Sequence, residues 1–319
     1  YKKWNSMISL LLRKAIFFEG DVADENMTIP LTARFRNSLK NRRFRHHLTK
    51  QIIAAKKNVS GHAGQNLNKL YLQLGLDSYA VKLISSEKWH LMAFGIQQLG
   101  TMEVKTQLPR VYKHTNHKNE LVRVEAQIAV LNLSGFEGLR FLDVITYQIS
   151  EWQQIKLLKE LSLIPHVNLQ GIDKWLKSDN PSVVVFALKL ARNYHHFELY
   201  EDIISCLNHP NSDVRIQAVY TLTDIFTGET SKVLLKVLET EEISNQLTIL
   251  KAIRKIGDEE DLPTLEAYLP TENLDLKLAT IRAMAHIGDK GWDLLYKKPA
   301  ADTYPLNEML VQVKKEVGK

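Results

Sequence analysis

Apolar residues recur at intervals of three and four along most of this chain, the spacing of one helical face, and the pattern itself repeats. Seven segments align, beginning at His90, Val122, Gln154, Val183, Val214, Asn245 and Asp275. Their equivalent positions are Ala93, Ala126, Leu157, Ala187, Ala218, Thr248 and Ala279, separated by 33, 31, 30, 31, 30 and 31 residues. Each unit contains two helical patterns. In the fifth, Val214, Ala218, Leu222 and Ile225 share one face, and Val233, Leu234, Val237 and Leu238 form a second stripe after Gly228. Gly100, Gly135, Gly228, Gly257 and Gly288 suit left-handed helix ends, and Pro165 ends the first helix of the third unit. Pro109 and Pro263 fall where second helices begin, whereas Pro181, Pro210 and Pro270 fall in the loops leading to the next unit. Two helices of this length cannot bury both stripes alone. Successive pairs must therefore stack, which predicts an all-α solenoid.

The flanks differ from the array. Residues 1–18 carry a broad helical apolar pattern, and "EGDVADEN" after them reads as a loop. Pro30 then opens one helix running from Leu31 to Lys57, with Leu31, Phe35, Leu39, Leu48 and Ile52 on its inner side. Leu67, Leu70, Tyr71 and Leu74 predict a capping helix. The resulting division is a basic helical region over 1–63, a repeat array over 64–296 and a linker with a closing helix over 297–319.

Composition agrees with helices, since Gly at 14 and Pro at 9 are few for 319 residues. No apolar run approaches the roughly 18–20 residues that cross a bilayer. The single cysteine, Cys206, excludes an intrachain disulfide framework and a thiolate metal cage, and it is expected in the core. Charge changes the picture more. From Asn26 to Leu76 there are ten Lys or Arg and no Asp or Glu, so this stretch is +10 while the rest of the chain is −4.

The array resembles HEAT repeats, in the variant also found in phycobilisome lyases. "HPNSDVRIQAVYTL" carries the match: Asp213, Val214, Arg215, Ala218 and Leu222 take the places of that family's D-V-R-x-x-A-x-x-x-L pattern. "KAIRKIGDEEDLPTL" and "RAMAHIGDKGWDLL" echo its ending, whereas the third and fourth units lack both the triplet and the glycine. The resemblance implies a right-handed α-solenoid of about seven HEAT-like helical pairs, here with a basic helical N-terminal cap. "YKKW", the basic block, "SGFEGL" and "SEWQQ" are similar to Bacteroidetes-type HEAT proteins, which carry one N-terminal membrane anchor. That implies a scaffold for a protein partner at the cytoplasmic side of a membrane, or in the cytoplasm, with an anchor preceding Tyr1. In the family the first helices of these segments line the concave face. Glu87, Trp89, Arg123, Gln127, Gln153, Lys156, Arg215, Tyr220 and Arg254 are its solvent-facing candidates.

Catalytic signatures are missing: there is no Gly-rich phosphate loop, H-E-x-x-H helix or G-x-S-x-G elbow. The His-Glu dipeptides that ligate iron in the architecturally similar deoxyhypusine hydroxylases are also absent. Trp89, Trp152 and Trp175 keep a likeness to HEAT-like DNA glycosylases open without marking a base-handling site. His114 with His117 lacks further ligands nearby, so no enzyme, cofactor or metal is expected. The basic block exceeds what a solvated helix face requires, because like charges four residues apart destabilise a helix. Arg34, Arg36, Arg42, Arg43, Arg45, Lys56 and Lys57 are therefore expected to meet an anionic partner. Anionic lipid fits better than nucleic acid, since only Phe35 and Phe44 interleave the block as stacking surfaces.

Overall fold

The computed structural model describes residues 2–18, 28–164, 170–298, 301 and 303–318, and every regular element among them is a helix. The "EGDVADEN" loop, the stop at Pro165, and the residues Tyr1 and Pro299 lie outside the described residues. The chain divides into two compact units, Tyr1–Leu169 and Gln170–Lys319.

In the first unit, α1 (Lys2–Ile16), α2 (Ala33–Ser38) and α3 (Arg42–Lys56) precede a pair formed by α4 (Gly61–Gln73) and α5 (Leu76–Ile84). Next come α6 (Trp89–Thr101), α7 (Leu108–Tyr112), α8 (Glu120–Ser134), a 3-10 helix over Gly135–Asp143 and α9 (Glu151–Leu161). The first helices α6, α8 and α9 pack side by side, while α5, α7 and the 3-10 helix form the second layer. The core runs unbroken from Ile8 on α1 through Phe44 and Leu48 on α3, Leu67 and Tyr71 on α4 and Ile96 on α6 to Val130 on α8.

The second unit contains α10 (Ile172–Trp175), α11 (Pro181–Asn193), α12 (Tyr200–Ser205), α13 (Ser212–Asp224) and α14 (Thr230–Leu238). It continues through α15 (Ile243–Ile256), α16 (Leu262–Tyr268), α17 (Leu274–Ile287), α18 (Asp289–Tyr296) and α19 (Leu306–Val317). Helices α11, α13, α15, α17 and α19 pack in succession, with α12 against α13, α14 chiefly against α15, and α16 and α18 against α17. The closing helix α19 thus docks on α17 as a further first helix would, burying Leu306, Leu310 and Val313. Cys206 is buried at the end of α12, as expected.

All seven repeat anchors are buried, and on α13 the whole stripe Val214, Ala218, Leu222 and Ile225 is removed from solvent. Burial of each large aliphatic side chain in such a stripe contributes about 1.5–3 kcal/mol. The glycines behave less uniformly than expected. Gly135 and Gly288 adopt φ of 66° and 114°, conformations only glycine reaches without strain. Gly228 and Gly257 have no positive φ. Gly100 is not a helix end at all: it lies within α6, where a Cβ would stand 2.5 Å from that of Ala129 on α8. Its function is close approach of two backbones. Pro109 and Pro263 open α7 and α16, and Pro181 opens α11 instead of lying in the preceding loop, since a first-turn residue needs no N–H acceptor.

The expected helix from Leu31 to Lys57 is broken between α2 and α3. Asn41 caps α3, its side chain accepting from the N–H groups of Arg43 at 2.9 Å and Phe44 at 3.2 Å. Arg45 Nη1 then donates to the carbonyls of Leu39 at 2.7 Å and Lys40 at 3.3 Å, fixing the chain that enters the helix. The same device recurs on α8, where Asn119 caps and Arg123 Nη1 reaches His117 O at 2.8 Å and Lys118 O at 3.0 Å. On α13, Asn211 caps and Arg215 Nη1 reaches His209 O at 2.9 Å and Pro210 O at 3.2 Å. Asn180 and Asn273 cap α11 and α17 likewise. Each such cap contributes about 1 kcal/mol. Helix α3 is therefore built as another first helix, with Leu48 at the anchor position.

Gly100→Ala is expected to lower stability by about 1–3 kcal/mol, the cost of overpacking. Gly228→Ala, where nothing lies within 4 Å, should change it by less than about 0.5 kcal/mol. Urea midpoints of the two variants check this pair directly.

Candidate functional site

The basic block separates into three settings once folded. Arg34 and Arg36 lie exposed on α2. Lys56 pairs with Glu103 at 3.0 Å and lies with Lys57 in a groove of 850 Å³ against α6, α8 and α9. The middle of α3 forms the third setting. Phe44, Leu48 and Ile52 face inward there, and Trp4 and Phe35 meet the Phe44 ring edge-on at 5.5 and 5.4 Å. This anchorage leaves Arg42, Arg43 and Lys50 outside.

Two adjoining clefts meet at Arg42. One, of 520 Å³, is lined by Leu39, Arg42 and Arg45 together with Ser78, Tyr79, Lys82 and Ser86 from α5 and the turn after it. The other, of 650 Å³, is lined by Arg42, Arg43, His46, His47 and Lys50, again with Tyr79 and Leu91. Among the described residues no carboxylate lines either cleft. Arg45 extends over the Tyr79 ring at 5.4 Å from its centroid, and its buried Nε has no acceptor among the described residues. The His46 ring meets that of Phe94 at 4.8 Å, tilted by 60°. Burial, and then the charges of Lys50, Arg42 and His47, hold its pKa below the usual imidazole value. Arg45 itself belongs to the loop-fixing device, so its part in anion binding is secondary to its part in folding.

The first-helix candidates also divide. Trp89 and Glu87 are exposed at the start of α6. Lys156, half-buried, sits 3.7 Å above the exposed Trp152 ring. Arg123, Gln127 and Gln153 are not solvent-facing but buried. The Arg123 guanidinium stacks on Tyr147 at 4.1 Å, Gln127 Nε2 donates to Thr115 O at 2.9 Å, and Gln153 Nε2 donates to Gln127 Oε1. A polar side chain satisfied by a loop carbonyl can turn inward, which helical periodicity alone does not register. Beside them Glu125, held above the usual carboxylate range by burial, accepts from Gln97 at 3.3 Å.

In the second unit Arg215 is held by Glu241 at 2.7 Å, Tyr220 is exposed beneath Arg192, and Arg254 meets His286 at 3.1 Å. Neighbouring first helices here neutralise each other. Asp224 on α13 receives Arg192 from α11 and Lys255 from α15, the latter at 2.6 Å. Its burial opposes ionisation, but those two hydrogen bonds prevail and hold the carboxyl below its ordinary value. Glu316 on α19 is pushed down to about 2 by Arg282, with help from Gln312. Among the described residues no three His, Cys, Asp or Glu side chains gather as a metal site, and no helix is long and apolar enough to cross a membrane.

Comparison with known proteins bears on the second unit first. The profile of the family "HEAT repeats" matches residues 200–285. This segment is HEAT-like. An 87-residue stretch, 27% of this chain, is 25% identical to "Uncharacterized phycocyanin operon protein Z" of Pseudanabaena tenuis (strain PCC 7409) and spans 43% of that relative's length. Among solved structures, an engineered protein matches at 14% identity with a TM-score of 0.43, covering 98% of each chain. A designed armadillo repeat protein matches at 16% identity and TM-score 0.33, covering 66% of this chain and 99% of that one. The complex of CpcE and CpcF of phycocyanin lyase from Nostoc sp. PCC7120 matches at 14% identity and TM-score 0.29, covering 87% and 97%.

Two imidazoles give the fold a pH dependence. His46 and His114 are both held below 6.5, by burial first and by neighbouring cations or histidines second. The unfolded chain therefore binds protons before the folded one as pH falls through about 6.5. Thermal midpoints should be level between about pH 7 and 8 and fall between about 6.5 and 5. His46→Gln/His114→Gln should flatten that decline.

Proposed function

We propose that this protein is a non-enzymatic protein-interaction scaffold belonging to a membrane-anchored protein, with its basic face beside an anionic membrane surface on the cytoplasmic side. The observation that carries the membrane part is the α3 face, where Arg42, Arg43 and Lys50 line clefts without a carboxylate among the described residues. Several cations elsewhere in the chain are paired: Lys232 with Glu260 at 2.7 Å, Lys298 with Glu266 at 2.7 Å and Arg282 with Glu316 at 2.6 Å. A basic surface left without counter-charge gains about 1 kcal/mol per side chain near anionic lipid. The scaffold part is supported by exposed aromatic residues, Trp89 and Trp152, on first helices of a stacked array. Large, rigid side chains of this kind anchor protein partners.

Co-sedimentation with vesicles tests the reading. The protein should bind phosphatidylcholine vesicles containing phosphatidylserine but not phosphatidylcholine alone, and binding should weaken as salt rises. Arg42→Glu/Arg43→Glu should abolish it without unfolding the chain, since both side chains are exposed and among the described residues neither holds a loop carbonyl as Arg45 does. Trp152→Ala should leave vesicle binding unchanged. Tight binding of a mixed-sequence DNA duplex with no preference for anionic vesicles would overturn the membrane reading in favour of nucleic acid.

A further inference from the structure

The α3 face offers more than diffuse positive charge. Arg42 and Arg45 from α3 converge with Lys82 from α5 on one cleft, and its wall adds the hydroxyls of Ser78, Tyr79 and Ser86. Arg43, His46, His47 and Lys50 extend the same cationic wall around Arg42. Neither α3 nor α5 alone could supply this arrangement: it exists because stacking sets residues 42–50 against residues 78–86. Volumes of 520 and 650 Å³ suit a small ligand or a lipid headgroup. Guanidinium forks bind phosphate oxygens in pairs, an ammonium adds a point charge, and hydroxyls donate to the oxygens that remain. The absence of carboxylates from the lining among the described residues disfavours cations.

We propose that the cleft between α3 and α5 is a binding site for a phosphomonoester group, with Arg42 and Lys82 as its principal ligands and Ser78, Tyr79 and Ser86 as hydroxyl donors. This deepens the reading of the basic face as a contact for anions and rests on it. The phosphate can come from a lipid headgroup or from a soluble phosphate ester. Both present the same dianionic chemistry to the cleft. An anion on Arg42 there lies beside the adjoining cleft, which His46 lines with Arg42, His47 and Lys50 on α3 and Tyr79 on α5, its ring against Phe94 on α6. Its negative charge offsets the repulsion those cations exert on the imidazolium.

Titration calorimetry of the whole chain with inorganic pyrophosphate is the direct test, run on the wild type, Lys82→Gln and Arg36→Gln. Saturable binding is expected, weakened at least tenfold by Lys82→Gln and less than twofold by Arg36→Gln, which is basic but outside the cleft. The His46 ring titration, followed by NMR, should move to higher pH when pyrophosphate is present. Lys82 is exposed, so a retained thermal midpoint separates lost binding from lost fold. Vesicles distinguish the source. If the ligand is a lipid, vesicles with phosphatidylinositol 4-phosphate should bind more tightly than phosphatidylserine vesicles of equal charge, and pyrophosphate should compete only with the former. Equal binding to both vesicles, with Lys82-dependent pyrophosphate affinity intact, supports a soluble phosphate ester. Absence of saturable pyrophosphate binding, or equal losses in Lys82→Gln and Arg36→Gln, would overturn the cleft. Salt-sensitive phosphatidylserine binding would then still stand as evidence for the diffuse surface, so the two readings fail separately.

Discussion

The molecule depends on one constraint: a pair of short helices with two apolar stripes cannot bury both against each other. In each unit the first helices therefore lie side by side, and small residues where they cross set how closely they approach. Ala126, Ala187 and Ala218 are wholly buried, and Gly100 admits the backbone of α8 at Ala129. The loops are tied by the same logic. An asparagine caps the helix, and on α3, α8 and α13 an arginine four residues later holds the incoming carbonyls, so each helix starts at a fixed point relative to its predecessor.

This arrangement explains which parts were legible in the sequence. The seven anchors were, because a period near 31 residues survives the loss of the Asp-Val-Arg triplet and of glycine in individual units. The pattern does not mark helix α3 as another first helix. Although "NRRFRHHL" matches "NSDVRIQA" in its asparagine, apolar fourth residue and arginine, 45 residues separate Leu48 from Ala93, because the α4–α5 pair is inserted between them. The break at Asn41 was hidden because apolar residues on both sides keep helical spacing across it.

The candidate site was legible only as charge. A block without acids could be counted, but the assembly of Arg42 with Lys82, Ser78 and Tyr79 depends on tertiary contact across more than thirty residues. Conversely, Arg123, Gln127 and Gln153 look like groove residues because they are polar positions on first helices. Their hydrogen bonds to Thr115 O, His117 O and one another turn them inward. Charge is thus used in two ways. In the second unit Asp224, Arg192 and Lys255 tie adjacent first helices together, whereas on α3 the cations are left facing outward.

Stability in such a stack belongs to neighbours and not to single pairs. Hydrogen exchange of Ala218→Asp tests this most directly, because the substitution buries an unpaired charge where α13 meets α11 and α15. Protection should fall together across α11, α13 and α15. Loss confined to α13, with α11 and α15 exchanging as in the wild type, would contradict the account.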